Sequence, residues 1–400
     1  MSFNFITSLF DLLSLYYIYR ALRIAYETWR DRARLGSNPL TPEQQRRAEE
    51  AAFFLAIPPG VAVHEFGHAL AIWLSGGQVV QFGYRVFWGF VVPTGTFRAA
   101  QDWVIAVAGT IGTLIYGLAL WLWFRTRRTS SLRFFGLRAM RLHIFYALIY
   151  YPVFSAMGLF GDWVTIYNFR ATPLLSGMTA VVHAGILLAY WRLSRRGFFE
   201  MPHFANAAAQ DRLHALQTEA QAQPHDAAAQ LRLVQALIQT GTPRQAERAL
   251  DAFLAQHPDS AAGWLEKATL QAVGKRHIPS QAATSAEKAL QMGLSDPHGV
   301  RRANYLIGLR YLDMGKPAES LRYLDRAVAV VESEGMEPNP HFHTLYQMRA
   351  RARRQLRQPQ GALADVEKAI ALARQVEQTE AVRSYEELRE AIRRDAGNPK

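Results

Sequence analysis

The chain contains no cysteine, which excludes disulfides, thiolate metal ligands and a cysteine nucleophile. Any metal centre must therefore be built from His, Asp or Glu. The start, Met1 to Phe5, has no basic stretch, and no small-residue cleavage site follows. The first apolar run is accordingly read as retained rather than as a cleaved signal. A base-reading motif is also missing, although the formal net charge is +12. Most of that charge is arginine, and the arginines crowd the ends of apolar runs: Arg30, Arg32, Arg34, Arg46 and Arg47, then Arg125 to Arg141, then Arg192, Arg195 and Arg196. Membrane topology places positive charge there, so no nucleic-acid partner is expected.

What is present divides the chain in two. Up to about Phe199 it is rich in aromatic and aliphatic runs; beyond Glu200 it turns to Ala, Gln, Glu and Arg with amphipathic helical spacing. The expected domains are a transmembrane region, 1–200, and a soluble helical region, 201–400. The expected fold class is all-α: a multi-span transmembrane bundle with one strand-like segment, followed by an α-solenoid.

Five spans are expected: Phe3 to about Tyr19, Ala51 to Ser75, Trp103 to Phe124, about Met140 to Phe160, and about Leu174 to Trp191. The first is short, carries Asp11, and is read as a span in preference to an interfacial helix. Pro58-Pro59-Gly60 is expected to break the second and start a fresh helix. The Arg-rich links all fall on one side of this arrangement, which should be cytoplasmic and should hold the C-terminal region. The segment Gly76 to Thr96 is β-branched, aromatic and punctuated by glycines, hence strand-like.

The second half repeats itself. Pro224 and Pro258 lie one 34-residue period apart, with Gly241, Ala246, Leu250 and Phe253 between them. The pattern returns as Gly308, Tyr311, Gly315, Leu324 and Ala327, again as Tyr346, Ala350, Ala362, Val366 and Ala369, and more loosely as Ala282, Ala286 and Ala289. An insertion at Glu334 to Pro338 interrupts the period, and about Glu380 to Ala396 reads as a capping helix. This spacing is that of tetratricopeptide repeats, which present a surface to a protein or peptide partner.

The chemistry sits in the second apolar stretch: Val63-His64-Glu65-Phe66-Gly67-His68. On a helix, His64 and His68 share one face and can reach one zinc ion. Glu65, beside the first ligand, is placed to act as a general base on water rather than on the metal. Three ionisable residues in an apolar stretch are costly unless they serve a site. A catalytic zinc takes three protein ligands. Asp162, which ends the fourth apolar stretch on the same side, is the leading third candidate, ahead of His183, His143, Asp11 and Asp102.

At these residues the chain resembles the site-2 protease family of intramembrane zinc metalloproteases. The likeness covers about Ala51 to Trp191: the HEFGHAL run, the strand-like segment from Gly76-Gly77, the Gly-rich Ala108 to Thr113, and an Asp at the end of a later span. The resemblance implies zinc on His64, His68 and Asp162, Glu65 as catalytic base, and cleavage of membrane-protein substrates in or near their spans. Asp162 departs from the family pattern: the nearest upstream proline is Pro152, and Trp163 stands where Gly is usual. Thr110 and Thr113 stand where Pro and Asn are common. The alternative is a non-catalytic membrane-anchored scaffold with a relic or structural metal site; a metal transporter ranks below it. The Arg- and Ala-rich composition suggests a bacterial chain, hence the inner membrane. Substrate, regulator and oligomeric state are left open.

Overall fold

Two prolines that should interrupt helices are instead absorbed by them. In a computed structural model describing residues 3–158, 161–333 and 342–397, helix runs unbroken from α3 (Pro42–Ala51) through a π-helical turn (Ala52–Ala56) into α4 (Ile57–Leu74). Proline lacks the N–H that would bond back along the helix, and its ring crowds the carbonyl four residues earlier. The wider π turn takes up that mismatch. Pro58 and Pro59 therefore do not break the stretch, contrary to expectation. The same device recurs where α6 (Ser130–Phe145) passes through a π turn (Tyr146–Tyr150) into α7 (Tyr151–Ala156), with Pro152 in its first turn.

The contacts divide the chain into two compact units, Met1–His214 and Ala215–Lys400. The first begins with α1 (Phe3–Arg30) and the short α2 (Arg32–Leu35). A Thr41 capping box with Gln44 starts α3. After α4 come β1 (Gln78–Tyr84) and β2 (Gly89–Thr94), an antiparallel hairpin with Tyr84 opposite Gly89 and Phe82 opposite Val91. The strand-like segment thus folds as a hairpin. Then follow α5 (Ala99–Phe124), α6 and α7, the short α8 (Asp162–Ile166) and α9 (Pro173–Arg195).

Among the described residues, α5 and α9 are helices long and apolar enough to cross a membrane. The expected second span is spread over α3, its π turn and α4; the fourth is spread over α6, its π turn and α7. Leu159 and Phe160 lie outside the described residues, as does the Asp11 side chain. Large apolar side chains face outward along α9: Leu174 and Val181 are each 74% exposed.

Helices α4 and α5 cross closely because both carry glycine at the contact. A Cβ on Gly67 would lie 2.6 Å from the Ala108 carbonyl oxygen, and one on Gly112 would lie 3.0 Å from that of Val63. This crossing sets the HEFGH turn directly against α5.

The second unit stacks α11 (Ala227–Gln239) with α12 (Pro243–Gln256), α13 (Ala261–Ala272) with α14 (Ser280–Gln291), α15 (Pro297–Asp313) with α16 (Pro317–Ser333), and α17 (His343–Gln355) with α18 (Pro359–Gln375). Helix α10 (Ala207–Ala222) precedes them and α19 (Thr379–Gly397) closes the row. The repeat positions read from the sequence are its core: Ala246, Ala282, Ala286, Ala289, Leu324, Ala327, Ala350, Ala362, Val366 and Ala369 are all fully buried. The insertion at Glu334 to Pro338 lies outside the described residues. The closing helix is not wholly polar, since Tyr385 and Ile392 are buried against the last pair.

Candidate metal centre

His64 and His68, one turn apart on α4, present their rings edge to face with centroids 4.7 Å apart. Their Nε2 atoms lie 3.0 Å from each other. Asp162 Oδ2 lies 3.0 Å from His64 Nε2 and 3.1 Å from His68 Nε2. The structure thus brings together the three residues singled out as ligands.

The opposite ring nitrogens decide what these atoms carry. His68 Nδ1–H donates to the Ile105 carbonyl at 2.7 Å. His64 Nδ1–H donates to Thr113 Oγ1 at 3.0 Å, whose own hydroxyl donates to the Gly109 carbonyl at 3.1 Å. In its neutral form each imidazole, donating from Nδ1, keeps a lone pair on Nε2. Three lone-pair atoms then converge on one point, an arrangement that a cation relieves. A tetrahedral zinc with bonds of about 2.0–2.1 Å separates its ligands by roughly 3.3 Å, close to the spacing found here. The donor set, two imidazoles and a carboxylate, fits zinc.

Asp162 is delivered by local packing. Gly161, at φ 157, turns the chain into α8, and a Cβ there would lie 2.9 Å from the Tyr151 ring. Trp163 and Ile166 are buried with Ala106, Ala147 and Leu148, seating α8 on α5. The Asp162 N–H donates to the Tyr151 hydroxyl at 3.2 Å. Trp163, the departure that placed Asp162 in question, is the anchor of the helix that carries it.

Glu65 is buried, with 6% exposed, and lines the same cleft of about 490 Å³ as the three donors. Gly89 of the hairpin rests on it: a Cβ there would lie 2.5 Å from Glu65 Cγ. Phe90, Val91 and Pro93 of β2 form another part of the wall.

His183, His143 and Asp102 stand outside the donor cluster. His183 bonds the Tyr167 hydroxyl at 2.6 Å and the Leu148 carbonyl at 2.7 Å, and its ring packs on Trp163. It braces α8 instead of binding the site. His143 donates from Nδ1 to the Ala139 carbonyl at 2.7 Å. Asp102 lines the cleft but stands outside the donor cluster.

Sequence reasoning did not single out the Ile105 carbonyl or Tyr151, and it noted Thr113 as a departure without a role. A backbone carbonyl carries no sequence signal. Thr113, one turn after Gly109, was the legible one. Replacing Thr113 with Val leaves His64 Nδ1–H without its acceptor. Zinc affinity measured by chelator competition is expected to fall about 10–100-fold with the fold intact.

Residues 60–229 match the family model Peptidase M50B-like, and residues 227–270 match the tetratricopeptide repeat model. These matches bear out the resemblance to the site-2 protease family and its fusion to repeats. No curated protein matches the chain. Among solved structures, the MamA protein is 17% identical, covering 43% of this chain and 86% of its own, at a TM-score of 0.31. A thermophilic TPR protein of Thermus thermophilus is 16% identical over 45% of this chain and 90% of its own, at 0.34. A signal-transduction ATPase with a tetratricopeptide sensor, from Pyrococcus horikoshii, is 15% identical over 73% of this chain and 43% of its own, at 0.35.

Proposed function

We propose that this chain, a Peptidase M50B-like domain of the site-2 protease family joined to tetratricopeptide repeats, is a zinc metalloprotease that hydrolyses peptide bonds in or near the transmembrane segments of other membrane proteins. The observation that carries the reading is the convergence of His64 Nε2, His68 Nε2 and Asp162 Oδ2, each imidazole fixed from behind by an acceptor, beside a buried Glu65 in one cleft.

His64, His68 and Asp162 would hold the zinc. The chemistry it supplies when bound is Lewis-acid polarisation of a carbonyl oxygen and of water. Glu65 takes the proton from the attacking water and returns it to the leaving amine. Thr113 and the Ile105 carbonyl keep the imidazole lone pairs aimed at one point.

The hairpin offers a place for the substrate backbone. Arg85 N–H bonds the Trp88 carbonyl at 2.8 Å, closing the turn with a bonded pair. Bonded and non-bonded pairs alternate in an antiparallel ladder. The N–H and C=O groups of Gly89 and Val91, in the non-bonded pairs, therefore point away from β1. An extended substrate segment adds to that edge as a further strand, its carbonyls passing Glu65.

The five apolar stretches, with arginine concentrated at the links, support a five-span arrangement with the hairpin at membrane depth, facing a cavity, and domains at 1–200 and 201–400. In this reading the repeats lie in the cytoplasm beneath a bacterial inner membrane, where they recruit a substrate or a regulator. The scaffold alternative loses ground to the complete donor set and the intact Glu65.

The test is to reconstitute the chain with isolated cell membranes and map new peptide termini by mass spectrometry, beside a Glu65→Gln variant. New termini in or next to apolar spans, absent with the variant, support the proposal. Identical termini from both proteins would show that the cleavage is not this chain's.

A further inference from the structure

Arginines from distant parts of the sequence meet at one end of the first unit. Asn38, just past α2, holds the α5–α6 link: its Nδ2 donates to the Arg128 carbonyl at 3.2 Å, and its Oδ1 accepts from the Ser130 N–H at 2.9 Å. Phe198, just past α9, meets Trp121 of α5 edge on, with ring centroids 6.4 Å apart. The carboxylates that the first three helices bring to this end are taken: Asp31 pairs with Arg30, Glu43 with Arg34 and Glu49 with Arg138.

Behind the Trp121–Phe198 contact the rings continue. Phe198 stands edge on to Phe199 at 5.2 Å, and Phe199 packs on Tyr190 of α9 at 5.2 Å. A guanidinium lies over each end of this run: Arg125 over Trp121, 5.4 Å from its centroid, and Arg141 of α6 over Phe199 at 5.5 Å. Arg141 Nε also donates to the Tyr190 hydroxyl at 3.4 Å. Neither guanidinium has a carboxylate within ion-pair distance among the described residues. An aromatic face offsets part of the cost of desolvating a guanidinium, but it leaves N–H donors unused. Arg141 is half-buried, and a charge at the edge of an apolar stretch calls for a counter-charge.

Helix dipoles and membrane topology both favour arginine at the C-terminal ends of α5 and α9. Neither accounts for Arg141, which lies inside a helix that runs on through its π turn into α7. Phe198 is exposed, as are Trp123 and Trp191 near the same helix ends. Exposed aromatic rings suit the boundary between acyl chains and headgroups.

We propose that this cluster binds an anionic phospholipid. Arg125 and Arg141 hold the headgroup phosphate, and the Trp121 and Phe198 rings lie along the glycerol and the upper acyl chain. Arginine suits phosphate because its planar fork bonds two oxygens at once. The inference rests on the membrane reading and does not depend on peptide-bond hydrolysis.

The experiment offers the full chain in detergent a mixture of phosphatidylglycerol and phosphatidylcholine, and counts the bound lipids by native mass spectrometry. An arginine near an anionic headgroup favours it about fivefold, so two together should favour phosphatidylglycerol about tenfold or more. Arg125→Gln/Arg141→Gln is expected to remove that preference, and Arg125→Lys/Arg141→Lys to retain part of it. Arg128→Gln/Arg196→Gln removes the same charge from exposed positions at the same end and should leave most of the preference. Equal retention of the two lipids by the unsubstituted chain overturns the proposal alone, whereas retention of neither contradicts the membrane reading as well. The proposal also fails if the Arg128/Arg196 pair matters as much as Arg125/Arg141, since the charge then acts diffusely. It fails again if inorganic phosphate displaces the lipid, because the site then takes a free anion. The lipid comparison on the unsubstituted chain stands even if a variant does not fold.

Discussion

Replacing Glu65 with Gln is expected to lower cleavage about 10²–10⁴-fold while leaving zinc content unchanged. Glu65 sits beside His64 on α4, is buried in the cleft with the donors, and stands outside the cluster of three that meets at one point. Gln keeps the shape against Gly89 but cannot accept a proton from water. The expected signature is therefore a fall in kcat with little change in KM, in protein that retains about one zinc per chain. A variant that cleaves at the original rate would remove Glu65 from the mechanism. A variant that loses its zinc would make Glu65 part of the metal site instead.

The second large effect comes from a residue that does no chemistry. Gly109 faces the donors: a Cβ there would lie 2.8 Å from His64 Nε2 and 2.5 Å from His68 Cε1. Gly109→Ala is expected to abolish measurable zinc binding, and cleavage with it. Helix propensity acts in the opposite direction, since Ala is better than Gly within a helix by about 0.8–1 kcal/mol. The metal-free protein should thus melt at an unchanged or higher temperature while the metal is lost. Gly112→Ala is the comparison, because the atoms nearest its Cβ would belong to Val63, the carbonyl oxygen at 3.0 Å, and not to a donor. It should weaken the α4–α5 crossing modestly and keep its zinc. If Gly109→Ala binds zinc normally, the histidine rings have room that the geometry denies them.

Much of this site was legible because its residue types are rare in apolar surroundings. Two histidines four apart and a carboxylate at the end of a later stretch stand out against aliphatic neighbours, and the structure brings them to one point. Glycine and β-branched residues announced the hairpin, and alanines at fixed spacing marked the repeat core. The parts that could not be read depend on geometry more than on composition. The run Pro58-Pro59 signals a break by every local rule, yet the π turn at Ala52–Ala56 carries the helix through it. Trp163 reads as a departure until its ring is found in the core beneath Asp162. The acceptor for His68 is the backbone of Ile105, where any side chain would serve as well.

The central claim is that His64, His68 and Asp162 form one zinc site. Its most direct test is elemental analysis of protein purified in detergent without chelator, beside His64→Ala/His68→Ala and Asp162→Ala variants. The structure predicts about one zinc per chain, lost in the double-histidine variant and bound at least about tenfold more weakly without Asp162. Absence of zinc from the unsubstituted chain even after reconstitution with the metal, or an Asp162→Ala variant with undiminished affinity, would contradict it.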